Sequence, residues 1–276
     1  MIKRNVRKII VAVAPVGREV KPPSLNPLTP GEVAKEVVDC TRAGASMVHL
    51  HVRDARGEQT EDISDFSRTL DLIRESSDII IQGSTGGLTT LSLEERCVSV
   101  TDARVEVASL NMGSVNFGED VYINRVPDIR YWAGRMAENS VVPELEIFEA
   151  GMVAEAQMLI DEGTLKPPFY YNFALGFHWA APADPRSLFY LSSLLPSGAV
   201  WSLVHDDMQD LSLLATAIGL GAAVIRVGFE DSVQYAPDRI ARTNVELVQK
   251  AVSLVRGIGY EVATPNEARA ILGLIA

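Results

Sequence analysis

Two of the chain's four histidines stand two residues apart, in Val48-His49-Leu50-His51-Val52-Arg53-Asp54. An extended strand sends alternate side chains to opposite faces, so His49 and His51 share a face, with Val48, Leu50 and Val52 on the other. Two imidazoles at that spacing can hold a divalent metal ion once a third ligand joins them, or they can pack as a hydrogen-bonded pair inside a barrel. Acidic residues gather in three further places. Glu144 and Glu146 alternate in Pro143-Glu144-Leu145-Glu146, and His205-Asp206-Asp207 is either a solvated loop or a second metal cluster. Glu230-Asp231 closes Arg226-Val227-Gly228-Phe229-Glu230-Asp231 and can also be read as the cap of the next helix. Gly83-Ser84-Thr85-Gly86-Gly87 is either a plain turn or one whose backbone N–H groups cradle a carboxylate or phosphate.

Elements able to hold these residues alternate along the chain. Ile9 to Ala14 is a continuous apolar run rich in Ile and Val, as a buried parallel strand requires. Thr29-Pro30-Gly31-Glu32 opens a helix, with Thr29 as N-cap, Pro30 in the first turn and Glu32 closing a capping box. That helix runs to about Arg42 and stops at Ala43-Gly44. Met47 to His51 is the next strand, and Ile79 to Ile81 the third. Between them, Asp62 to Glu75 is an amphipathic helix with Ile63, Phe66, Leu70 and Ile73 on its apolar face. Leu91 to Val98, Val121 to Glu138, Gly151 to Glu162, Pro185 to Leu194, Leu211 to Leu220 and Asn244 to Arg256 also read as helices. Further strands are expected at Val105 to Leu110, Val141 to Ile147, Phe169 to Leu175, Val200 to Val204 and Ala223 to Val227. Thr264-Pro265-Asn266-Glu267 caps a short terminal helix. Eight apolar strands, each followed by a helical segment without a break in composition, predict one α/β domain over residues 1–276, a (β/α)8 TIM barrel. No Gly-x-Gly-x-x-Gly opens a helix after a strand, which weighs against two dinucleotide-binding halves.

With 47% hydrophobic residues, a chain of 276 can bury a large core. A formal charge of −11 without runs of like charge argues against nucleic acid or an anionic membrane as partner. It does not exclude small anions, because local arginines or a metal override the global field. Cys40 and Cys97 fall in expected helices without metal-type spacing, as reduced packing residues of a cytoplasmic protein would. Behind the basic residues 1–8 the apolar run is short and strand-like, so neither a leader nor a membrane span is expected.

A barrel of this kind carries its active site at the C-terminal ends of its strands. The polar residues expected there begin with Glu19 beyond the first strand, His49, His51 and Arg53 on the second, and Ser84 and Thr85 after the third. Ser109 and Asn111 close the fourth, Glu144 and Glu146 lie on the fifth, His205, Asp206 and Asp207 follow the seventh, and Arg226, Glu230 and Asp231 belong to the eighth. Inside a closed barrel Glu144 and Glu146 have no solvated edge to face, which favours a paired or ligating role. Glu230 is the best third ligand, because only the first strand separates the second from the eighth. Two neutral imidazoles and a carboxylate leave open coordination positions and suit Zn2+ first, with Mn2+ or Fe2+ as alternatives. Asp231 then sits beside the ion as a base towards an acidified C–H.

Taken together, these residues resemble the β-keto acid cleavage enzymes, a zinc-dependent (β/α)8 family. The resemblance covers nearly the whole chain. It is carried by Ala43-Gly44-Ala45 leading into the His49–Asp54 stretch, by Ser84-Thr85-Gly86-Gly87, and by Ser109-Leu110-Asn111-Met112-Gly113-Ser114-Val115-Asn116-Phe117-Gly118. Pro143-Glu144-Leu145-Glu146, the Arg226–Asp231 stretch, Ala263-Thr264-Pro265 and Glu267-Ala268-Arg269 complete it. The resemblance implies one Zn2+ per chain on His49, His51 and Glu230. It implies Asp231 as the base, Arg226 assisting it, and Ser84, Ser109 and Glu146 positioning the substrate. Thr85, Gly86, Gly87 and Asn111 fill out the expected substrate-binding set, with Glu19 where relatives meet a substrate amino group. It also implies acyl transfer in a homo-oligomer, a tetramer: a β-keto acid and acetyl-CoA give acetoacetate and a new acyl-CoA by Claisen and retro-Claisen steps.

Two stretches depart from the family's pattern. Phe177-His178-Trp179-Ala180-Ala181 replaces a small Gly- and Pro-rich loop, and Leu203-Val204-His205-Asp206-Asp207 replaces a Gly-rich segment with an Arg. Aromatic rings from Phe177 and Trp179, with carboxylates nearby, predict a short substrate whose distal end is cationic or neutral. Without acetyl-CoA the same residues would make a metal-assisted lyase or aldolase on a small keto acid. A barrel that only binds a metabolite would have no need of Asp231.

Overall fold

The computed structural model describes residues 6–16, 25–54, 56–86 and 91–274. Barrel strands and helices alternate from the start: β1 (Lys8–Val13), α1 (Pro30–Ala43), β2 (Met47–Leu50), α2 (Ser64–Arg74), β3 (Ile80–Gly83), α3 (Leu93–Arg96), β4 (Val107–Asn111) and α4 (Val126–Glu138). They continue as β5 (Val142–Ile147), α5 (Gly151–Asp161), β6 (Tyr170–Leu175), α6 (Pro185–Ser193), β7 (Trp201–His205), α7 (Ser212–Leu220), β8 (Val224–Val227) and α8 (Asn244–Gly257), before a last helix, α9 (Pro265–Leu272). Each barrel strand pairs in parallel with the next, and β8 pairs with β1 from Ile10↔Val224 to Val13↔Val227. The sheet therefore closes, and the expected (β/α)8 barrel is present. No helix among the described residues is long and apolar enough to cross a membrane.

Local chemistry starts the elements where expected. Thr29 and Thr264 both form full capping boxes with the Glu three residues on. One expectation fails. Val121 to Glu138 is not a single helix: Val115–Phe117 and Asp120–Tyr122 pair as an antiparallel hairpin, and α4 starts only at Val126. Pro127 explains the boundary, since a residue without an N–H and with a fixed φ is tolerated in the first turn of a helix and not in its middle. A second hairpin, Gln234–Ala236 with Arg239–Ile240, and a short strand, Glu261–Val262, beside β1 also lie outside the expected alternation.

Inside the barrel, the strand period of two writes the chemistry in layers. At the bottom, Ile10, Ala12, Met47, Ile80, Val107, Val142, Tyr170 and Val224 pack as one buried cluster, closed from below by Ala268 and Leu272 of α9. Two residues on, along the same inward faces, come His49, Gln82, Ser109, Glu144, Asn172 and Arg226, all buried. A further step reaches His51, Ser84, Asn111 and Glu146 at the mouth. The outward faces, such as Val11, Val48, Ile81, Leu145 and Phe173, belong to the larger apolar cluster beneath the helices.

The turn after β8 depends on Gly228. Its φ is +143°, and a Cβ there would stand 2.2 Å from the Ala14 carbonyl oxygen, the same oxygen that accepts the Glu230 N–H at 3.1 Å. Gly228→Ala should therefore cost about 2 kcal/mol or more in backbone strain. Calorimetry should show Tm lower by at least about 5 °C.

Candidate active site

At the C-terminal end of β2, the rings of His49 and His51 meet edge to face with centroids 5.1 Å apart. Their Nε2 atoms are 3.4 Å from each other and 3.5 and 3.4 Å from the two carboxylate oxygens of Glu230. Such spacings are long for hydrogen bonds. One ligand atom from each of the three residues lies within 4.8 Å of the others, close enough to converge on one ion. The far side of each imidazole is held by an amide. His49 Nδ1 donates to Gln82 Oε1 at 2.9 Å, while His51 Nδ1 accepts from Gln59 Nε2 at 2.9 Å, an amide that must turn over for His51 to offer its Nε2 lone pair to an ion. Burial keeps both rings neutral, pushing His49 down to about 3 and lowering His51 as well. Neutral imidazoles and a carboxylate are the forms that ligate, so this donor set fits a divalent ion.

The loop after β8 brings the base candidate alongside. Arg226 Nε and Nη2 hold the two oxygens of Asp231 at 2.9 and 2.5 Å, and Nη2 also reaches Glu230 Oε1 at 3.3 Å. Burial, against the pull of Arg226, pushes Asp231 up to about 6. Burial, with the charge of Glu144 beside it, pushes Glu146 up to about 8. Carboxyls tuned towards neutrality in a cleft are those expected to take or give protons.

These groups floor a cavity of about 430 Å³. One wall is aromatic. Phe117 stacks between Tyr122 and Phe177, at 5.0 Å from each, and Phe148 stands edge-on to all three. Asp206, Arg53 and the rim residue Glu58 share the lining. Asn111 also lines it and is buried, yet neither end of its amide has a hydrogen-bond partner among the described residues. Arg53 Nε and Arg226 Nη1 are likewise buried without partners. Buried polar atoms without a protein partner are ones that water, an ion or a ligand can satisfy.

Of the expected site residues, His49, His51, Ser84, Gly86, Asn111, Glu146, Arg226, Glu230 and Asp231 meet at this cavity. Gly86 passes so close that a Cβ would lie 3.0 Å from the Tyr122 hydroxyl. Thr85 and Ser109 turn their polar groups to each other instead: the Thr85 N–H donates to Ser109 Oγ at 3.1 Å and the Thr85 hydroxyl donates to the Ser109 carbonyl. They tie β3 to β4 and do not line the cavity. Glu144 lies one layer below, accepting from Tyr170 and Asn172. Glu19 and Gly87 fall outside the described residues. Asp206 faces in, but Asp207 is exposed, and Trp179 is 67% exposed at φ +70°, its ring against His178. The aromatic contribution of that loop is therefore Phe177 alone. The helix after Glu230-Asp231 is capped by Thr243, so the capping alternative is excluded.

Residues 8–274 match the family model described as beta-keto acid cleavage enzyme. The chain belongs to that family. It is 37% identical over 274 residues, 98% of this chain and 99% of the relative, to the 3-keto-5-aminohexanoate cleavage enzyme of Fusobacterium nucleatum. It is 33% identical over 253 residues, 90% of this chain and 88% of the relative, to the 3-oxoadipate:acetyl-CoA acetyltransferase of Cupriavidus necator. Among solved structures, apo ObcA shares the fold with a TM-score of 0.76 at 21% identity, over 90% of this chain and 65% of that one.

For a member of this family, the aromatic wall is what the pattern of strand ends does not reveal. Phe117 and Tyr122 sit on the hairpin after β4, whose Val115-Asn116-Phe117 alternation before Gly118 was its only signal. Arg96, also unforeseen, is buried under that hairpin, donating to the Thr85 and Ile123 carbonyls and to Asn124 Oδ1 while its guanidinium lies 4.2 Å from the centre of the Trp132 ring. The paired charges at the floor generate a stability prediction. Arg226→Leu strands Asp231 and should cost about 3–5 kcal/mol. Asp231→Asn, which keeps an amide on the guanidinium, should cost less, and denaturant unfolding of both variants compares them.

Proposed function

We propose that this protein carries an acetyl group from acetyl-CoA to carbon 2 of a β-keto acid and releases acetoacetate and a new acyl-CoA. The observation that carries this reading is Asp231, clamped by Arg226, next in the chain to a Glu230 whose carboxylate meets two neutral imidazoles within 3.5 Å. Family membership supports it. In this reading His49, His51 and Glu230 hold one Zn2+, which when bound supplies Lewis-acid polarisation of a carbonyl beside it.

The chain's own groups do the rest. Asp231 takes a proton from carbon 2, and Arg226 keeps both its oxygens in place through the transfer. The carbon 2 electron pair forms the bond to the acetyl carbon, and CoA leaves as thiolate. The thiolate adds to the keto carbon, and the bond between carbons 2 and 3 breaks. Asp231 returns its proton to carbon 2, which leaves as acetoacetate, while the remaining acyl group departs on CoA. The open amide of Asn111, Ser84 and the largely protonated Glu146 offer hydrogen bonds to the oxygens of the reacting pair.

The tail of the keto acid meets the aromatic wall and Asp206. Stacked rings favour apolar groups and cations, and a carboxylate favours a cation. A second carboxylate brought to about 4 Å from Asp206 costs roughly 1–4 kcal/mol, depending on screening. This favours apolar or ammonium-bearing keto acids over dicarboxylic ones.

Three experiments test the reading. Purified protein should carry about one Zn2+ per chain, and His49→Ala/His51→Ala should lose it. Asp231→Asn should keep the metal yet lose two or more orders of magnitude in kcat. Metal retained by the double variant, or near-normal turnover by Asp231→Asn, defeats the assignment. Across matched keto acids ending in methyl, ammonium and carboxylate, kcat/KM with acetyl-CoA should be lowest for the carboxylate by roughly fivefold to a thousandfold. Preference for the dicarboxylate would remove Asp206 and the rings from the tail site.

A further inference from the structure

We infer that Glu144 and Tyr170, neither of which lines the cavity, are positioning residues for His49: they fix which of its ring nitrogens carries the proton. The inference rests on the metal reading above. Beneath the site runs an unbroken chain of buried hydrogen bonds. Ser202 Oγ donates to Asn172 Oδ1 at 2.8 Å, and Asn172 Nδ2 donates to Glu144 Oε1 at 3.0 Å. From the other side the Tyr170 hydroxyl donates to Glu144 Oε2, and Gln82 Nε2 donates to the Tyr170 oxygen at 3.1 Å. His49 Nδ1 meets Gln82 Oε1 at 2.9 Å. These side chains are at most 3% exposed.

The direction of each bond forces the next. With Glu144 ionised, both its oxygens accept, so Tyr170 gives its single hydroxyl proton there and keeps only lone pairs for Gln82. Gln82 must then turn its N–H2 to Tyr170 and its oxygen to His49. Turning that amide over would set oxygen against oxygen at Tyr170. With an acceptor fixed at its Nδ1, His49 carries its proton there and leaves the Nε2 lone pair aimed at Glu230 and His51. A carboxylate three hydrogen bonds away thus selects the one tautomer in which His49 can ligate. A barrel that needed only packing at this level could fill it with apolar side chains, as the layer below does.

Groups that orient a ligating imidazole typically change metal affinity by about 10–100-fold when removed. The variants are Tyr170→Phe, which leaves Gln82 free to turn, and Glu144→Gln, which lets the tyrosine proton swing towards Gln82. Metal affinity is read by titrating Zn2+ against a chelator, and the tautomer by ¹⁵N chemical shifts of the imidazoles in the metal-free protein. Both variants should bind Zn2+ about 10–100-fold more weakly and show His49 shifting towards the Nε2-protonated form, while the wild type is Nδ1-protonated. Unchanged affinity and tautomer in folded variants would overturn the inference. So would an Nε2-protonated His49 in the wild type, a measurement that does not depend on the variants folding. A wild type that binds no Zn2+ at all would instead defeat the metal reading, and the wild-type tautomer would still decide the network.

Discussion

The contact between Arg226 and two consecutive carboxylates governs the geometry of the barrel mouth. A guanidinium in a buried position is tolerated only when paired and hydrogen-bonded. Its partners here are Glu230 and Asp231, both from the loop that follows its own strand. Satisfying the cation therefore shapes the loop. Asp231 is drawn to the Nε edge, and Glu230 is left with its carboxylate across from His49 and His51. The tight turn at Gly228 against Ala14 is the backbone counterpart of this pairing, since the Ala14 oxygen also holds the Glu230 N–H. One ion pair thus connects closure of the barrel at β8 and β1 with the placement of a ligand and a base.

Below it, the interior shows why an active site can sit on a packed core. Apolar side chains occupy the first inward position of most strands, and polar ones the second and third. Nearly every polar group of the middle layer finds a protein partner, as burial demands, with Arg226 Nη1 the exception. Glu144 meets this demand by collecting donors from β6 on one side and, through Tyr170, from β3 on the other. The outcome is rigidity directly under the histidines, where a loosely held imidazole would weaken any ion it bound.

Much of this was legible in the sequence, and for identifiable reasons. The barrel is visible because eight apolar runs separated by helical periodicities admit few other closed arrangements. His49, His51 and Glu230 are visible because histidine pairs at strand spacing are rare, and because β1 alone lies between β2 and β8. The pairing of Thr85 with Ser109 was not visible, since a short hydroxyl at a strand end serves a neighbouring carbonyl as readily as a substrate. The fate of Trp179 was equally hidden: a left-handed backbone at that residue turns the ring outward, and nothing in an aromatic residue's identity announces φ +70°. Phe117, Tyr122 and Phe148 come together from a hairpin and a strand end that are far apart in the chain. Their stacking is a tertiary fact that no local pattern encodes.

Electrostatics ties the site to the chemistry proposed for it. The cavity lining sets five carboxylates, Glu58, Glu146, Asp206, Glu230 and Asp231, against the guanidiniums of Arg53 and Arg226. Fully ionised, it would hold a formal excess of three negative charges and would repel a β-keto carboxylate. Glu146 relieves one of them, because burial keeps it largely protonated below about pH 8. A divalent cation held by His49, His51 and Glu230, as proposed above, would reduce that excess further. The anionic head of a keto acid would then be drawn to the metal and Arg226.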